Sequence, residues 1–257
     1  MTSDLVLLEN AVYLPTVDTV IISDLQLGHE QQLRDLGSNI LYEQGLQMIG
    51  LLETLIDQVK AKRLVINGDL KHEFGHISAQ ERHDIIRLLK AFKDKVEVVV
   101  VRGNHDTLTE VLTKEVGVEM SDSWSDGGFY AVHGHDLPDE EDPVYKEAHT
   151  VVIGHVHPAV RIDDGVRAER YKCFLIGQYG KKRLVVLPSF STIVEGSDIL
   201  KVASNSPFLQ GARNSPGRIP AQGFRGTPRD SSNVYVLADE IRAFGKVSEL
   251  RRVLGKL

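Results

Sequence analysis

Five short apolar runs within the first 153 residues each end in a cluster of aspartate, asparagine or histidine. The runs are Thr19–Ser23, Leu64–Asn67, Val96–Arg102, Phe129–Val132 and Val151–Ile153. Behind them stand Asp24-Leu25-Gln26, Gly68-Asp69, Gly103-Asn104-His105-Asp106, His133-Gly134-His135 and Gly154-His155-Val156-His157. β-Branched runs of this length, bounded by turn-forming residues, read as strands. Loops that leave the ends of several strands meet at one rim of a sheet, where open α/β folds keep their sites. Any fold for this chain must therefore bring five distant loops together. One position is odd: residue 26 is Gln where a His would complete the pattern.

The spacing between the clusters predicts alternating strands and helices. Leu5–Leu8 and Ala11–Leu14 read as a hairpin around Glu9-Asn10. Ile40, Leu41, Leu46, Ile49, Leu52, Leu55, Ile56 and Val59 recur at helical spacing and predict a helix over Asn39–Lys60. A second helix is expected over Ser78–Phe92, opened by a Ser78/Glu81 capping box. The continuous apolar run Val96–Val101 predicts a strand buried on both faces. Such alternation argues for a largely parallel sheet with right-handed crossovers. Downstream, Ala159–Ile162, Arg167–Ile176 and Arg183–Leu187 join Val151–Ile153 through short connections. They predict a second, more antiparallel sheet packed on the first. Val234–Leu237 is expected as a strand and Val247–Leu254 as a terminal helix.

Residues 201–229 interrupt this order with four prolines, four glycines and no acid, alongside Lys201, Arg213, Arg218, Arg225 and Arg229. The stretch reads as a loop insertion in a single domain spanning 1–257. It would either neutralise phosphates of a single strand or act as a solubilising insertion.

The net charge of −6 excludes a chain that binds polyanions by bulk charge, so such binding needs a local patch or a bound metal. The single Cys173 lies in the strand-like Tyr171–Leu175 and is expected in the core. Met1–Asp4 lacks a basic leader, and no apolar stretch approaches the ~20 residues of a membrane span. The expectation is a cytoplasmic protein with no membrane contact.

Asp, Asn and His without thiolates suit Mn²⁺, Fe or Zn²⁺. One carboxylate flanked by two His/Asn sets is what a pair of cations needs. Two such ions ~3.5–4 Å apart activate a bridging hydroxide and neutralise charge on a phosphoryl group.

In order and spacing, the five clusters resemble the DxH, GD, GNHD, HG and GHxH signature of the calcineurin-like metallophosphoesterase superfamily. Asp24–Gly28 and Gly68–Gly75 resemble a prokaryotic, archaeal-type branch related to SbcD-type repair nucleases. The resemblance implies an α/β four-layer sandwich, two mixed β-sheets flanked by helices. It implies two divalent metals, with Mn favoured and Fe, Zn or Ni as alternatives. Asp69 would bridge them, and Asp24, residue Gln26 and His157 would hold the first. Asn104, His133 and His155 would hold the second. His105 would stand beside the scissile phosphate, oriented by Asp106, and a hydroxide shared by the metals would be the nucleophile. As a neutral amide, Gln26 makes the first site richer in oxygen, which favours Mn²⁺ over Zn²⁺.

Other residues near the clusters carry weaker signals. His29 and His135 are expected as exposed loop residues, with ligation or substrate contact as the alternative. Lys71 and His72 are expected either against a substrate phosphate or in a solvated loop. His76 and His83 are expected on the surface, and Trp124 and Tyr130 as core or loop anchors rather than base-stacking groups. The function expected is a two-metal phosphodiesterase or nuclease acting on DNA or RNA, with nucleic acid as substrate. The resemblance admits a helicase or ligase partner and a homodimer. The alternatives are a small-molecule phosphatase or cyclic-nucleotide phosphodiesterase, and a non-catalytic scaffold in a nucleic-acid-processing complex.

Overall fold

In the computed structural model, residues 4–39, 44–163, 167–201, 204–210 and 227–254 are described. The first sheet has the order β1-β2-β3-β4-β5-β6. Its strands are β1 (Val6–Leu8), β2 (Ala11–Leu14), β3 (Thr19–Ile22), β4 (Arg63–Asn67), β5 (Glu97–Val101) and β6 (Glu119–Ser121). The hairpin β1/β2 and the β2/β3 pair are antiparallel, and β3 to β6 run parallel.

The parallel part is joined by α1 (His29–Asp35), α2 (Gln44–Val59), α3 (Ala79–Phe92) and α4 (Thr109–Val116). The predicted α2 extends over Gln44–Val59, while residues 40–43 lie outside the described part. The α3 capping box is present: Ser78 Oγ accepts from Glu81 N, and Glu81 accepts from Ser78 N. It satisfies two amides that the helix itself cannot pair.

The second sheet contains β7 (Trp124–Asp126), β8 (Phe129–Ala131), β9 (Thr150–Ile153), β10 (Pro158–Asp163), β11 (Ala168–Tyr179), β12 (Lys182–Val186) and β13 (Ser197–Asp198). Here β8, β9 and β12 run parallel, while β11 lies antiparallel to β10 and β12. β14 (Asn233–Leu237) pairs with β11, and β15 (Ile241–Lys246) pairs with β14. Three further helices, α5 (Pro143–Glu147), α6 (Pro228–Ser231) and α7 (Val247–Leu254), belong to this half.

Alternating side chains place the strands between two cores. Val98 and Val100 of β5 face Leu88, Leu89 and Phe92 of α3, whereas Val99 and Val101 face Phe129, Val152, Phe174 and Val185 of the second sheet. The outer face of that sheet packs on Tyr145 of α5 and on Val247 and Leu250 of α7. The result is helix, sheet, sheet, helix: the expected four layers with two mixed sheets. Cys173, Trp124 and Tyr130 are buried in these cores, and His76 and His83 are exposed, as expected.

Residues 202–203 and 211–226, with Arg213, Arg218 and Arg225, lie outside the described part. The described remainder of 201–229 is partly core. Phe208 and Leu209 are buried under the second sheet, and Arg229 belongs to α6. No helix among the described residues is long and apolar enough to cross a membrane.

Candidate metal centre

Both sheets present the C-terminal ends of parallel strands to one rim. Asp24 and Asp69 leave β3 and β4, Asn104 leaves β5, and His133 and His155 leave β8 and β9. Asn67, the last residue of β4, ties the sheets together there by donating from Nδ2 to the carbonyls of Val132 (3.0 Å) and Val152 (3.3 Å). The first two loops continue the ladder beyond their strands, with Asp24 N on Gly68 O and Gln26 N on Asp69 O, both at 3.0 Å.

Asp24, Gln26, Asp69, His155 and His157 all hold positive φ, between 46° and 63°. Outside glycine this conformation costs on the order of 1 kcal/mol per residue, and it persists only where surroundings enforce it. Glycines supply the close approaches. A Cβ on Gly103 would lie 2.3 Å from Asp69 N and Oδ1, and one on Gly154 would lie 2.6 Å from Asp24 Oδ2.

The donor atoms form two triads, Asp24/Asp69/His157 and Asp69/His133/His155, with the atoms of each within 4.8 Å of one another. Asp69 belongs to both. Backbone contacts aim these side chains: His155 N donates to Asp24 (3.1 Å) and His105 N to Asp69 Oδ1 (3.0 Å). His133 Nδ1–H donates to Asn67 O (3.0 Å), which turns Nε2 inward.

The fit to metal rests on what these atoms lack. His133 Nε2, His157 Nε2 and Asn104 Oδ1 are buried without a hydrogen-bond partner. Yet His157 Nε2 lies 3.0 Å from Asp24 Oδ1, and His133 Nε2 lies 3.3 Å from Asp69 Oδ1. Buried polar groups are normally paired. Ring nitrogens and carboxylate oxygens that converge this closely without well-formed hydrogen bonds fit a cation in place of the protons between them.

The electrostatics agree. Burial would raise the Asp69 carboxyl, but His133 and His105 outweigh it and hold it well below the usual carboxylate range. Burial would lower His133, but Asp69 and Asp24 outweigh it and raise it to about 9. Burial first, then repulsion from His133, lowers His155 to about 4, so it is a neutral ligand at ordinary pH. His157 is raised, chiefly by Asp24 against its own desolvation.

A sequence profile of the calcineurin-like phosphoesterase family matches residues 18–196, which contain every one of these side chains. The chain belongs to that family. No curated protein matches the sequence. Among solved structures, Pseudomonas putida nuclease MPE is similar at a TM-score of 0.60 and 20% identity, covering 93% of this chain and 94% of that one. Yfce, a phosphoesterase from E. coli, is similar at 0.44 and 18%, covering 89% and 98%. Wild-type Vps29 from Entamoeba histolytica, solved with zinc, is similar at 0.35 and 14%, covering 88% and 96%. At these identities the likenesses speak for the fold alone.

Several neighbours of the family motifs differ from expectation. Gln26 presents its amide nitrogen to the site: Nε2 donates to Asp69 Oδ2 at 2.9 Å, and Oε1 faces His72 Nδ1 at 2.7 Å. Asp106 does not orient His105. It is fully buried and accepts from Leu70 N (3.0 Å) and Gly103 N (2.8 Å), stitching two motif loops together. His105 is instead fixed by Nδ1–H donation to His72 O (2.5 Å), leaving Nε2 facing Asp69 Oδ2 at 3.7 Å.

Lys71 touches neither solvent nor an open phosphate position, being fully buried with Nζ on Glu73 O. His29 and His135 are half-buried rather than exposed. His29 stacks on His72 at 4.1 Å, and His135 lies against His133 and His155.

Sequence reasoning missed the support beneath Asp24. Ser189 Oγ donates to Asp24 O (2.7 Å), and Lys172 Nζ donates to Ser189 O (2.9 Å) and Ser191 O. Burial pushes Lys172 down to about 8. Ser189-Phe190-Ser191 follows the β12 strand as the other clusters follow theirs, and that placement was the available signal.

Proposed function

We propose that this metallophosphoesterase is a two-metal phosphodiesterase or nuclease acting on single-stranded nucleic acid. The observation that carries the reading is the pair of ligand triads sharing Asp69. Asp24, Asp69 and His157 would hold one divalent cation, and Asp69, Asn104, His133 and His155 the other, with Mn favoured by the oxygen-rich first set. When bound, the cations supply Lewis acidity toward a phosphoryl oxygen and activate water.

The chain's own residues supply the rest. His105 Nδ1 is committed to His72 O, so only Nε2 can serve the substrate. Protonated, it delivers a proton to the leaving oxygen; neutral, it cannot. A cavity of about 260 Å³ adjoins His155 and His157 and is lined by Ser197, Asp198, Asn205 and Arg229, a polar recess beside the ligands in which Arg229 is the group suited to a flanking phosphate.

Pseudomonas putida nuclease MPE shares this fold over nearly the whole chain, and the nucleic-acid substrate is proposed by analogy with it. The archaeal-type, SbcD-related branch is the placement that agrees with this reading.

The test is turnover by Mn²⁺-loaded protein of a labelled single-stranded DNA, a chromogenic phosphodiester and a phosphomonoester, with His105→Ala as control. Cleavage of the strand and diester at rates well above the monoester is the expected result. Preference for the monoester would assign a phosphatase. No turnover by either protein would assign a scaffold.

A further inference from the structure

Four aromatic rings form a column beside the metal centre, and His105 is the one that faces Asp69. His29 stacks on His72 (centroids 4.1 Å apart, planes at 23°), His72 on His105 (6.1 Å, 28°), and His105 on Phe74 (3.6 Å, 37°). Phe74 ends the column at the surface and is 59% exposed. Leaving the ring in water forfeits its apolar burial. Phe74 is kept out by an anchored loop.

Glu81, fully buried, accepts from Glu73 N (2.8 Å) and Ser78 N (2.7 Å), bracketing the segment between them. Lys71 Nζ holds Glu73 O from below. Gly75, at φ +77°, reverses the chain so that His76 N closes a turn on Phe74 O (3.0 Å). One face of the ring is spent on His105, the residue whose Nε2 faces the site.

We propose that the outer face of Phe74 is a stacking platform for a nucleobase carried on the leaving-group side of the scissile phosphate. The proposal rests on the nucleic-acid reading above for the reacting groups. Successive rings are inclined by 23°, 28° and 37°, and a planar base laid on the open face of Phe74 adds one more ring to the column. Stacking on an aromatic side chain tolerates every base and changes affinity about 5- to 100-fold per base. The platform therefore supplies binding without sequence readout. It also places the sugar oxygen of that nucleotide toward His105.

The test uses the full chain with Phe74→Ala, Phe74→Leu and Phe74→Trp, checked for unchanged melting because the side chain is exposed. Binding is read with a single-stranded dodecamer containing 2-aminopurine, titrated in EDTA so that the strand stays intact, beside an abasic strand of equal length. The expected result is quenching by the wild type. Affinity for the base-bearing strand should fall about 5- to 100-fold in Phe74→Ala and Phe74→Leu and be kept in Phe74→Trp, with the abasic strand bound alike by all.

Equal losses on both strands, or no loss, would overturn the platform, as would a wild type that binds neither. Kinetics with Mn²⁺ separate this from the parent reading. Strand cleavage with identical kcat/KM in wild type and Phe74→Ala removes the platform and keeps the nuclease. Base-dependent binding without strand cleavage keeps the platform and removes the nuclease.

Discussion

Gln26 and His72 face each other at 2.7 Å, carboxamide oxygen to Nδ1, while the Gln26 amide nitrogen donates to Asp69 Oδ2. His72 Nε2 meets a second amide oxygen, that of Gln32, at 2.9 Å, and Gln32 is pinned by its own Nε2 on Glu73 Oε1 (3.0 Å). Burial, then the neighbouring His29 and His105, pushes His72 down to about 4, so the ring is neutral and carries one N–H for two oxygens. Turning the Gln26 amide over resolves the conflict, because its nitrogen then donates to Nδ1. The same turn points its oxygen at Asp69, which only a cation there would favour.

Gln26→Glu tests that coupling directly. A carboxylate beside Asp69 is repelled in the metal-free protein and attracted in the loaded one. Metal-free Gln26→Glu should melt lower than wild type by an amount equivalent to about 1–3 kcal/mol. Its gain in Tm with Mn²⁺ should exceed that of wild type. A metal-induced gain no larger than wild type would remove Gln26 from the ligand sphere.

Metal uptake should depend on pH through His133. Its pKa in the metal-free protein is raised to about 9, above the ~6.5 of an unfolded chain. The stability it contributes without metal is therefore complete below about pH 6.5 and lost as pH rises through about 9. A cation must displace that proton, so apparent affinity should rise about tenfold per pH unit up to about 9 and then level off. Calorimetry in buffers of different ionisation enthalpy counts the released proton, and a flat affinity between pH 6.5 and 9 would contradict the assignment.

How far these features could be read in advance follows from where they reside. The strands ending at Asp24, Asp69 and Asn104 are buried on both faces, so continuous apolar runs announced them. β15 is almost wholly exposed and β13 has two residues, so neither carries a hydrophobic period to detect. α1 buries only Glu30, which leaves no apolar stripe for a pattern to show. The ligands were legible because their chemistry lies in side-chain identity. The support from Lys172, Ser189 and Asp106 was not, since it runs through backbone carbonyls and amides whose partners only the fold selects.

Gly103 is the position at which a single methyl group should disrupt the centre. Its added Cβ would meet Asp69 N and Oδ1 at 2.3 Å, and the backbone there cannot retreat without moving the shared carboxylate. Gly103→Ala should cost about 2–4 kcal/mol and bind substoichiometric Mn²⁺. Gly50, with open space around its Cβ position, provides the control. Wild-type metal content in Gly103→Ala would show that the loop has more freedom than its packing indicates.

Asp106 and His105 adjoin in sequence but should fail in different ways. Asp106→Asn replaces one accepting oxygen with an NH₂ group that faces a backbone N–H, from Leu70 or from Gly103. A buried donor set against a donor costs about 2–4 kcal/mol, so Tm should fall clearly. The folded, metal-loaded fraction should keep kcat within about threefold, because the His105 ring is held by His72 O and not by Asp106. His105→Ala should instead leave Tm and metal content near wild type and lower kcat by about 10²–10⁴, the usual worth of a general acid. Melting curves, metal analysis and kcat on one phosphodiester separate the two. If Asp106→Asn lowers kcat as far as His105→Ala at full metal occupancy, Asp106 acts on the imidazole after all.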